Sequence, residues 1–187
     1  YRVAPDLILK QIAWIFIGFI LYFVSSYACK YYDFFYKVKY GNYVYLAISF
    51  ILLFSTFVLG KEIGGSKNWL TFGSISVQPS EIVKIIYIIF LARYLKDNKT
   101  AKDIIKVGAI TIVIVGILVI EKDLGTALLF YLTTTFMIFA ATSSLVYTTA
   151  SVAFLGFGGV ISYFLFNHVR VRIQAWLNPW MDVPGKT

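Results

Sequence analysis

The sequence is short of charged residues, cysteine and histidine, and each shortage excludes a class of protein. Charged residues make up 14% of the 187 residues and hydrophobic residues 59%, which excludes an ordinary soluble globular domain. The single cysteine, Cys29, excludes an internal disulfide bond. The single histidine, His168, has no second ligand type nearby, which argues against a protein-held metal site. The composition therefore indicates a polytopic membrane protein.

An excess of basic residues is the one compositional feature that points toward a different partner. The formal net charge of +8 would favour nucleic acid in a soluble chain. Here the lysines and arginines lie mainly in the connections between apolar runs, where they would flank a membrane. We therefore expect membrane lipid, and no nucleic acid, as a partner.

Six apolar runs approach the roughly 17 to 25 residues that a helix needs to cross a bilayer. The runs cover residues 9–28, 43–60, 79–95, 104–120, 124–141 and 146–166. Between the fourth and the fifth, Glu121, Lys122 and Asp123 predict a tight helical hairpin. The predicted fold class is all-α, a polytopic membrane helix bundle that forms a single integral membrane domain over residues 1–187.

Six crossings place both chain ends on the same face of the membrane. Lysine and arginine are divided equally between the two faces, so the positive-inside rule does not orient the protein. The connections on the face of the chain ends are chemically the richer ones. Residues 60–78 contain several glycines and polar side chains and predict a loop that folds over the membrane surface. Residues 170–180 predict a helix that lies in the interface and stops at Pro179.

Charged residues at the end of membrane helices are candidate site residues, because they are costly unless they face a cavity or pair with one another. Pro79 predicts the start of a helix, with Glu81 in its first turn and Lys84 three residues later on the same face. We expect this pair to converge with Asp123 on the hairpin, with Arg172 on the interfacial helix, and with the loop around residues 67–69.

Each candidate also has a purely structural interpretation. Glu81 and Lys84 can form an ion pair at the interface and nothing more. Asp123 can be the N-cap of the helix that follows it. Arg172 and Trp69 can be interfacial anchors. The residues by themselves leave these alternatives open.

Four motifs along the chain resemble the signature of the SEDS family, the shape, elongation, division and sporulation proteins. The most specific is Gln78-Pro79-Ser80-Glu81 with Lys84 three residues on. The others are the stretches 64–70 and 123–126, and Arg172 followed by Asn178-Pro179-Trp180 with Asp182 and Gly185. The chain departs from the family pattern at Lys122, where proline is usual, and at Asn68, where a basic residue is frequent.

The resemblance implies a fold of about ten membrane helices in the bacterial cytoplasmic membrane. It implies a peptidoglycan glycosyltransferase that polymerises lipid II on the outer side and works with a class B penicillin-binding transpeptidase. Aligned with the family, the chain is a fragment that lacks the first helix, most of a large extracytoplasmic loop and the last helices. Both ends of the fragment are then extracytoplasmic. The main catalytic aspartate is expected in that loop beyond Thr187, so this fragment alone is expected to be inactive.

The reaction suggests roles for the candidate residues. Transfer from a lipid-linked diphosphate needs a base for the acceptor hydroxyl and positive charge for the departing diphosphate. We expect Lys84 and Arg172 to offset the diphosphate charge or to orient the missing carboxylate, Glu81 to fix Lys84, and Asp123 to complete the polar network. The remaining expected substrate-binding residues are Lys67, Trp69, Gln78 and Ser80. No cofactor is indicated, and the sequence leaves open a divalent metal that bridges the diphosphate.

Two functions of other classes also fit a membrane bundle with polar ends. A lipid II flippase or transporter is expected to carry charge or broken helices near the midplane. In this sequence the charges lie toward the helix ends instead. A membrane scaffold that activates a penicillin-binding protein would tolerate neutralisation of Glu81, Lys84 and Asp123.

Overall fold

A computed structural model describes residues 5–28, 40–63, 65–72, 75–178 and 180. Within these residues the chain forms seven helices and three short strands. In chain order they are α1 Pro5–Ala28, α2 Gly41–Leu59, β1 Lys61–Ile63, β2 Ser66–Phe72, β3 Ile75–Val77, α3 Pro79–Asp97, α4 Ala101–Ile120, α5 Leu124–Thr142, α6 Leu145–Leu165 and α7 Asn167–Leu177.

The predicted all-α membrane bundle is confirmed. Four helices, α2, α4, α5 and α6, are long and apolar enough to cross a membrane, and α1 contains a shorter apolar stretch, Gln11–Tyr27. Helix α3 has a comparable length but carries several charged side chains, among them Glu81, Lys84 and Lys96. The count of six crossings therefore stays a prediction.

The chain forms two compact units, Tyr1–Gly41 and Asn42–Thr187. The first contains α1, whose side chains from Gln11 to Tyr27 are exposed and mostly apolar, as expected for a surface that contacts lipid. The second contains α2 from Asn42 onward and all the later elements. The single integral membrane domain stays a prediction.

The core of the second unit lies between α3, α4 and α5. Tyr87 and Phe130 are buried there, with ring centroids 5.5 Å apart. The Tyr87 hydroxyl lies 2.8 Å from Thr111 Oγ1, which lies 3.3 Å from Thr134 Oγ1. These hydroxyls join the three helices by hydrogen bonds where no water is expected.

The helix boundaries agree closely with the sequence pattern. Helix α3 begins at Pro79, and the predicted hairpin is present, because α4 ends at Ile120 and α5 begins at Leu124. The interfacial helix α7 begins at Asn167, three residues before the predicted start, and ends at Leu177. Several residues used in the sequence analysis lie outside the described residues, namely Cys29, residues 30–39, Gly64, Gly73, Pro179, Asp182, Gly185 and Thr187.

The connection between α2 and α3 is more regular than the predicted loop, because it forms a three-stranded antiparallel sheet in the order β1-β2-β3. Lys61 pairs with Trp69 across β1 and β2, and Leu70 pairs with Val77 across β2 and β3. Two of the strands have only three residues, which is too short for alternation of apolar and polar residues to be recognised.

Candidate functional site

The sheet lies against the turn between α4 and α5, and this contact defines the candidate site. The Lys67 backbone N–H donates to the Glu121 carbonyl at 2.9 Å. The Ser66 hydroxyl donates to the Lys122 carbonyl at 3.0 Å, and Lys122 Nζ lies 3.3 Å from Glu62 Oε1. Both residues of the turn, Glu121 and Lys122, therefore contact the sheet directly.

Asp123 lies at the centre of this contact and is only 8% exposed. One carboxylate oxygen accepts the backbone N–H of Thr126 at 3.2 Å, so the N-cap interpretation is confirmed. The other oxygen accepts from the side-chain amide of Asn68 on β2 and from that of Gln78 at 3.0 Å. The carboxylate therefore links α5, β2 and the residue that precedes α3, which is more than a cap requires.

Glu81 and Lys84 form the predicted ion pair on α3, with 2.8 Å between Lys84 Nζ and Glu81 Oε1. The side chains are 58% exposed for Glu81 and 26% for Lys84. Among the described residues no hydrogen bond or ion pair joins this pair to Asp123. Ser80 beside it is buried, and its hydroxyl has no partner in the described part of the chain.

The remaining predicted site residues lie on the sheet and on α7. Lys67 is exposed and donates to the Phe57 carbonyl at 3.3 Å, while Trp69 is half-buried in β2. Arg172 is exposed on α7, one turn from His168. Burial lowers the pKa of His168, and the positive charges of Arg172 and Lys122 act in the same direction.

The structure therefore brings together some of the predicted residues. Asp123, Gln78 and the β2 segment around Lys67 and Trp69 are joined by direct contacts. Within the described residues, neither Arg172 nor the ion pair of α3 is hydrogen-bonded to Asp123. Convergence of the four charged elements into one pocket stays a prediction.

Sequence reasoning missed Glu121, which it treated only as one of the charges that interrupt two apolar runs. Its side chain is 2% exposed, and Oε1 lies 2.7 Å from the hydroxyl of Thr56 on α2. Burial raises the pKa of this carboxyl to about 7, and the charge of Asp123 adds to the effect while Lys67 opposes it. A glutamate directly after a 20-residue apolar helix is the one signal that could have drawn attention to it.

A metal site has no candidate ligands in the part of the chain that the structure describes. There, no three His, Cys, Asp or Glu side chains are grouped so that they could hold an ion.

The geometry and the motifs agree with a match to a known family. Residues 3–187 match the family described as "Cell cycle protein", FtsW/RodA/SpoVE. The chain belongs to the FtsW/RodA/SpoVE family. The resemblance to the SEDS proteins is thereby confirmed, since these are the same proteins under another name.

Curated relatives of this FtsW/RodA/SpoVE chain include proteins of both named branches. The peptidoglycan glycosyltransferase RodA of Mycobacterium bovis is 30% identical over 141 residues, which are 67% of this chain and 30% of that protein. The probable peptidoglycan glycosyltransferase FtsW of Wigglesworthia glossinidia brevipalpis is 32% identical over 150 residues, 75% of this chain and 38% of that protein. The chain thus spans about a third of the length of these relatives.

Solved structures share the fold of this FtsW/RodA/SpoVE chain. A chain of a peptidoglycan synthase complex matches with a TM-score of 0.73 and 23% identity, over 96% of this chain and 53% of that one. RodA of Thermus thermophilus matches with a TM-score of 0.61 and 23% identity, over 82% of this chain and 52% of that one. These likenesses support a multi-pass membrane fold.

Proposed function

We propose that the full-length protein is a peptidoglycan glycosyltransferase, which polymerises lipid II into glycan strands at the outer face of the bacterial cytoplasmic membrane. The observation that carries the proposal is the family match over nearly the whole chain, with relatives named peptidoglycan glycosyltransferases that are 30% and 32% identical. The activity requires the rest of the protein, because the main catalytic aspartate is expected beyond Thr187.

The polar end of the bundle supports this activity. Asp123 and Asn68 are buried beside Gln78, which is half-buried, and Lys67, Lys84 and Lys122 lie around the same end of the bundle. A lipid-linked diphosphate would enter such a place with its chain in the bilayer and its anionic group among the cations. Positive charge that is already in position lowers the barrier to departure of the diphosphate.

Within this proposal the residues have separate tasks. Lys84 and Arg172 offset the charge of the diphosphate or orient the catalytic carboxylate supplied by the missing loop. Glu81 holds Lys84 in place, and Asp123 fastens the sheet that presents Lys67. Trp69, Gln78 and Ser80 belong to the substrate-binding site, with Ser80 in its buried part.

A class B penicillin-binding transpeptidase is the proposed partner. The support is the fold shared with a chain of a peptidoglycan synthase complex that couples polymerisation to crosslinking. We further propose that both ends of this fragment are extracytoplasmic, because the polar end must face the side on which glycan strands are made.

The test is Lys84→Ala in the full-length protein, reconstituted with labelled lipid II. We expect loss of glycan chains, because the leaving diphosphate loses a cation, while membrane insertion is unchanged. Lys102→Ala, an exposed lysine at the other end of the bundle, is the matched control and should leave synthesis intact.

Each competing function predicts a different result in the same assay. Undiminished glycan synthesis by Lys84→Ala would refute the assigned role of this lysine. Leaflet exchange of lipid II without glycan chains would indicate a flippase. Absence of glycan chains, with activation of a penicillin-binding protein that persists after neutralisation of Glu81, Lys84 and Asp123 together, would indicate a scaffold.

A further inference from the structure

Glu121 connects three elements next to Asp123. Glu121 is the C-cap residue of α4. Its backbone carbonyl accepts a hydrogen bond from the Lys67 N–H of β2, and its side chain contacts Thr56 on α2. Two residues later, the Asp123 carboxylate accepts hydrogen bonds from the side-chain amides of Asn68 and Gln78. The position of Asp123 therefore depends on the contacts of Glu121 with Thr56 and Lys67.

The two contacts of the Thr56 hydroxyl show whether Thr56 or Glu121 donates in the hydrogen bond between them. The Thr56 hydroxyl lies 2.7 Å from Glu121 Oε1 and 2.6 Å from the Leu53 carbonyl oxygen. A hydroxyl has one proton, so it cannot donate to both acceptors. Both contacts are satisfied when Glu121 is a neutral acid that donates to Thr56, and Thr56 donates to Leu53.

The surroundings of the carboxyl favour the same neutral form. Glu121 Oε2 is buried without a partner among the described residues, which is far more costly for a charged oxygen than for a carbonyl oxygen. The carboxyl also lies at the negative end of the α4 dipole. The charged groups that face it are Asp123, which disfavours ionisation, and Lys67, whose exposed ammonium opposes this only weakly.

We propose that Glu121 is a positioning residue that acts as a neutral carboxylic acid, and that by donating to Thr56 it fastens the end of α2 and β2 to the turn that presents Asp123. This role rests on the proposed function insofar as Asp123 belongs to the glycan-forming site. Loss of the Glu121 proton would place a second negative charge beside Asp123 and would leave one contact of Thr56 without a hydrogen.

The protonated carboxyl can be observed directly by infrared difference spectroscopy of the full-length protein against Glu121→Gln. We expect a band of a protonated carboxyl group that is absent from the variant. The band should disappear as the pH rises through about 7, in line with the raised pKa of Glu121. Thr56→Val should shift the band, because the acid loses its acceptor.

The positioning role is tested by hydrogen exchange and by kinetics. Glu121→Gln keeps a neutral donor for Thr56, so the Lys67 amide should stay protected and kcat should remain near that of the wild type. Glu121→Ala removes the donor, so the exchange of β2 should accelerate and kcat should fall about tenfold, the effect of one lost buried hydrogen bond. At high pH the wild type should lose activity that Glu121→Gln retains.

The outcomes separate this inference from the proposed function. Absence of the carboxyl band, or unchanged β2 exchange and kcat in Glu121→Ala, would overturn the inference. A wild-type protein that shows the band and the protection but makes no glycan would overturn the proposed function, and the proton-dependent attachment of α2 and β2 would stand.

Discussion

The α4–α5 turn contains two carboxyl groups, those of Glu121 and Asp123, with different hydrogen-bond partners. Asp123 accepts three hydrogen bonds, one from a backbone N–H and two from side-chain amides, and these stabilise a negative charge. Among the described residues the Glu121 carboxyl has one hydrogen-bonding contact, with Thr56, and its other oxygen has no partner. Because donors determine where charge is tolerated in a dry environment, the turn is suited to one negative charge, on Asp123.

Among the SEDS motif positions, Asn68 illustrates how this chain holds Asp123 without an ion pair. The family pattern often has a basic residue here, whereas Asn68 provides a neutral amide that donates to the carboxylate. The negative charge of Asp123 is therefore not cancelled within the contacts that the structure describes.

The protonation of Glu121 predicts a dependence of stability on pH. The folded state raises the pKa of this carboxyl from 4.5 to about 7, so the folded protein binds the proton more tightly than the unfolded chain does. The resulting stabilisation is fully present below pH 4.5 and is lost as the pH rises to about 7, by about 1.4 kcal/mol for each pKa unit. The melting temperature of the wild type relative to Glu121→Gln should fall across this interval, and a constant difference would contradict the assignment.

At the scale of elements, the sheet and the α4–α5 turn stabilise each other. Strands of three residues are too short to be stable alone. Here β2 gains hydrogen bonds from the turn, through the Glu121 and Lys122 carbonyls and the Asp123 carboxylate. Within the turn, Lys122 has a φ of 62°, which is a left-handed conformation. The hydrogen bonds to the sheet stabilise this conformation.

Gly60 permits the close approach of α2 and β2. A Cβ at this position would lie 2.2 Å from the Thr56 carbonyl oxygen and 2.9 Å from that of Lys67, and both are backbone atoms that cannot rotate away. Gly60→Ala should therefore force β2 away from the end of α2 and cost about 1 to 3 kcal/mol of stability. Thermal unfolding in detergent measures this cost.

Gly108→Ala is the control for the Gly60 variant. Gly108 lies within α4 with open space where a Cβ would be, so alanine should be neutral or slightly stabilising there. Equal melting temperatures for both alanine variants would mean that the contact at Gly60 is not tight.

At the scale of the whole second unit, Asn42–Thr187, the charged groups lie at the two ends of the helices and the middle is mostly apolar. One end contains the sheet, the α4–α5 turn and the start of α3, and the other contains the start of α4. In the described part of the interior between them, the side-chain hydrogen bonds are those of hydroxyl groups, such as that of Tyr87 with Thr111. Charged groups at the ends and an apolar middle are suited to chemistry at a membrane surface and not to transport through the bundle.

Orientation in the membrane can be measured with single cysteines in a Cys29→Ser background. Lys61→Cys and Lys102→Cys place exposed thiols at opposite ends of the bundle. If the sheet is extracytoplasmic, a membrane-impermeant maleimide should label Lys61→Cys in intact cells and Lys102→Cys only after permeabilisation. The reverse labelling would refute the proposed orientation.

The sequence by itself determined the helices, their boundaries and the family. Apolar runs, Pro79 and the charges at 121–123 act on neighbouring residues along the chain, so the start of α3 and the hairpin could be predicted from local pattern. The ion pair of Glu81 with Lys84 followed from the same helical spacing.

Only the tertiary structure decided how the polar end is assembled. The sheet depends on hydrogen bonds between β2 and a turn more than fifty residues away in sequence, and no local pattern encodes that distance. Whether a glutamate is exposed or buried is likewise a property of what packs against it. Glu121 is buried where it meets Thr56 of α2, and its position directly after an apolar helix does not by itself reveal that contact.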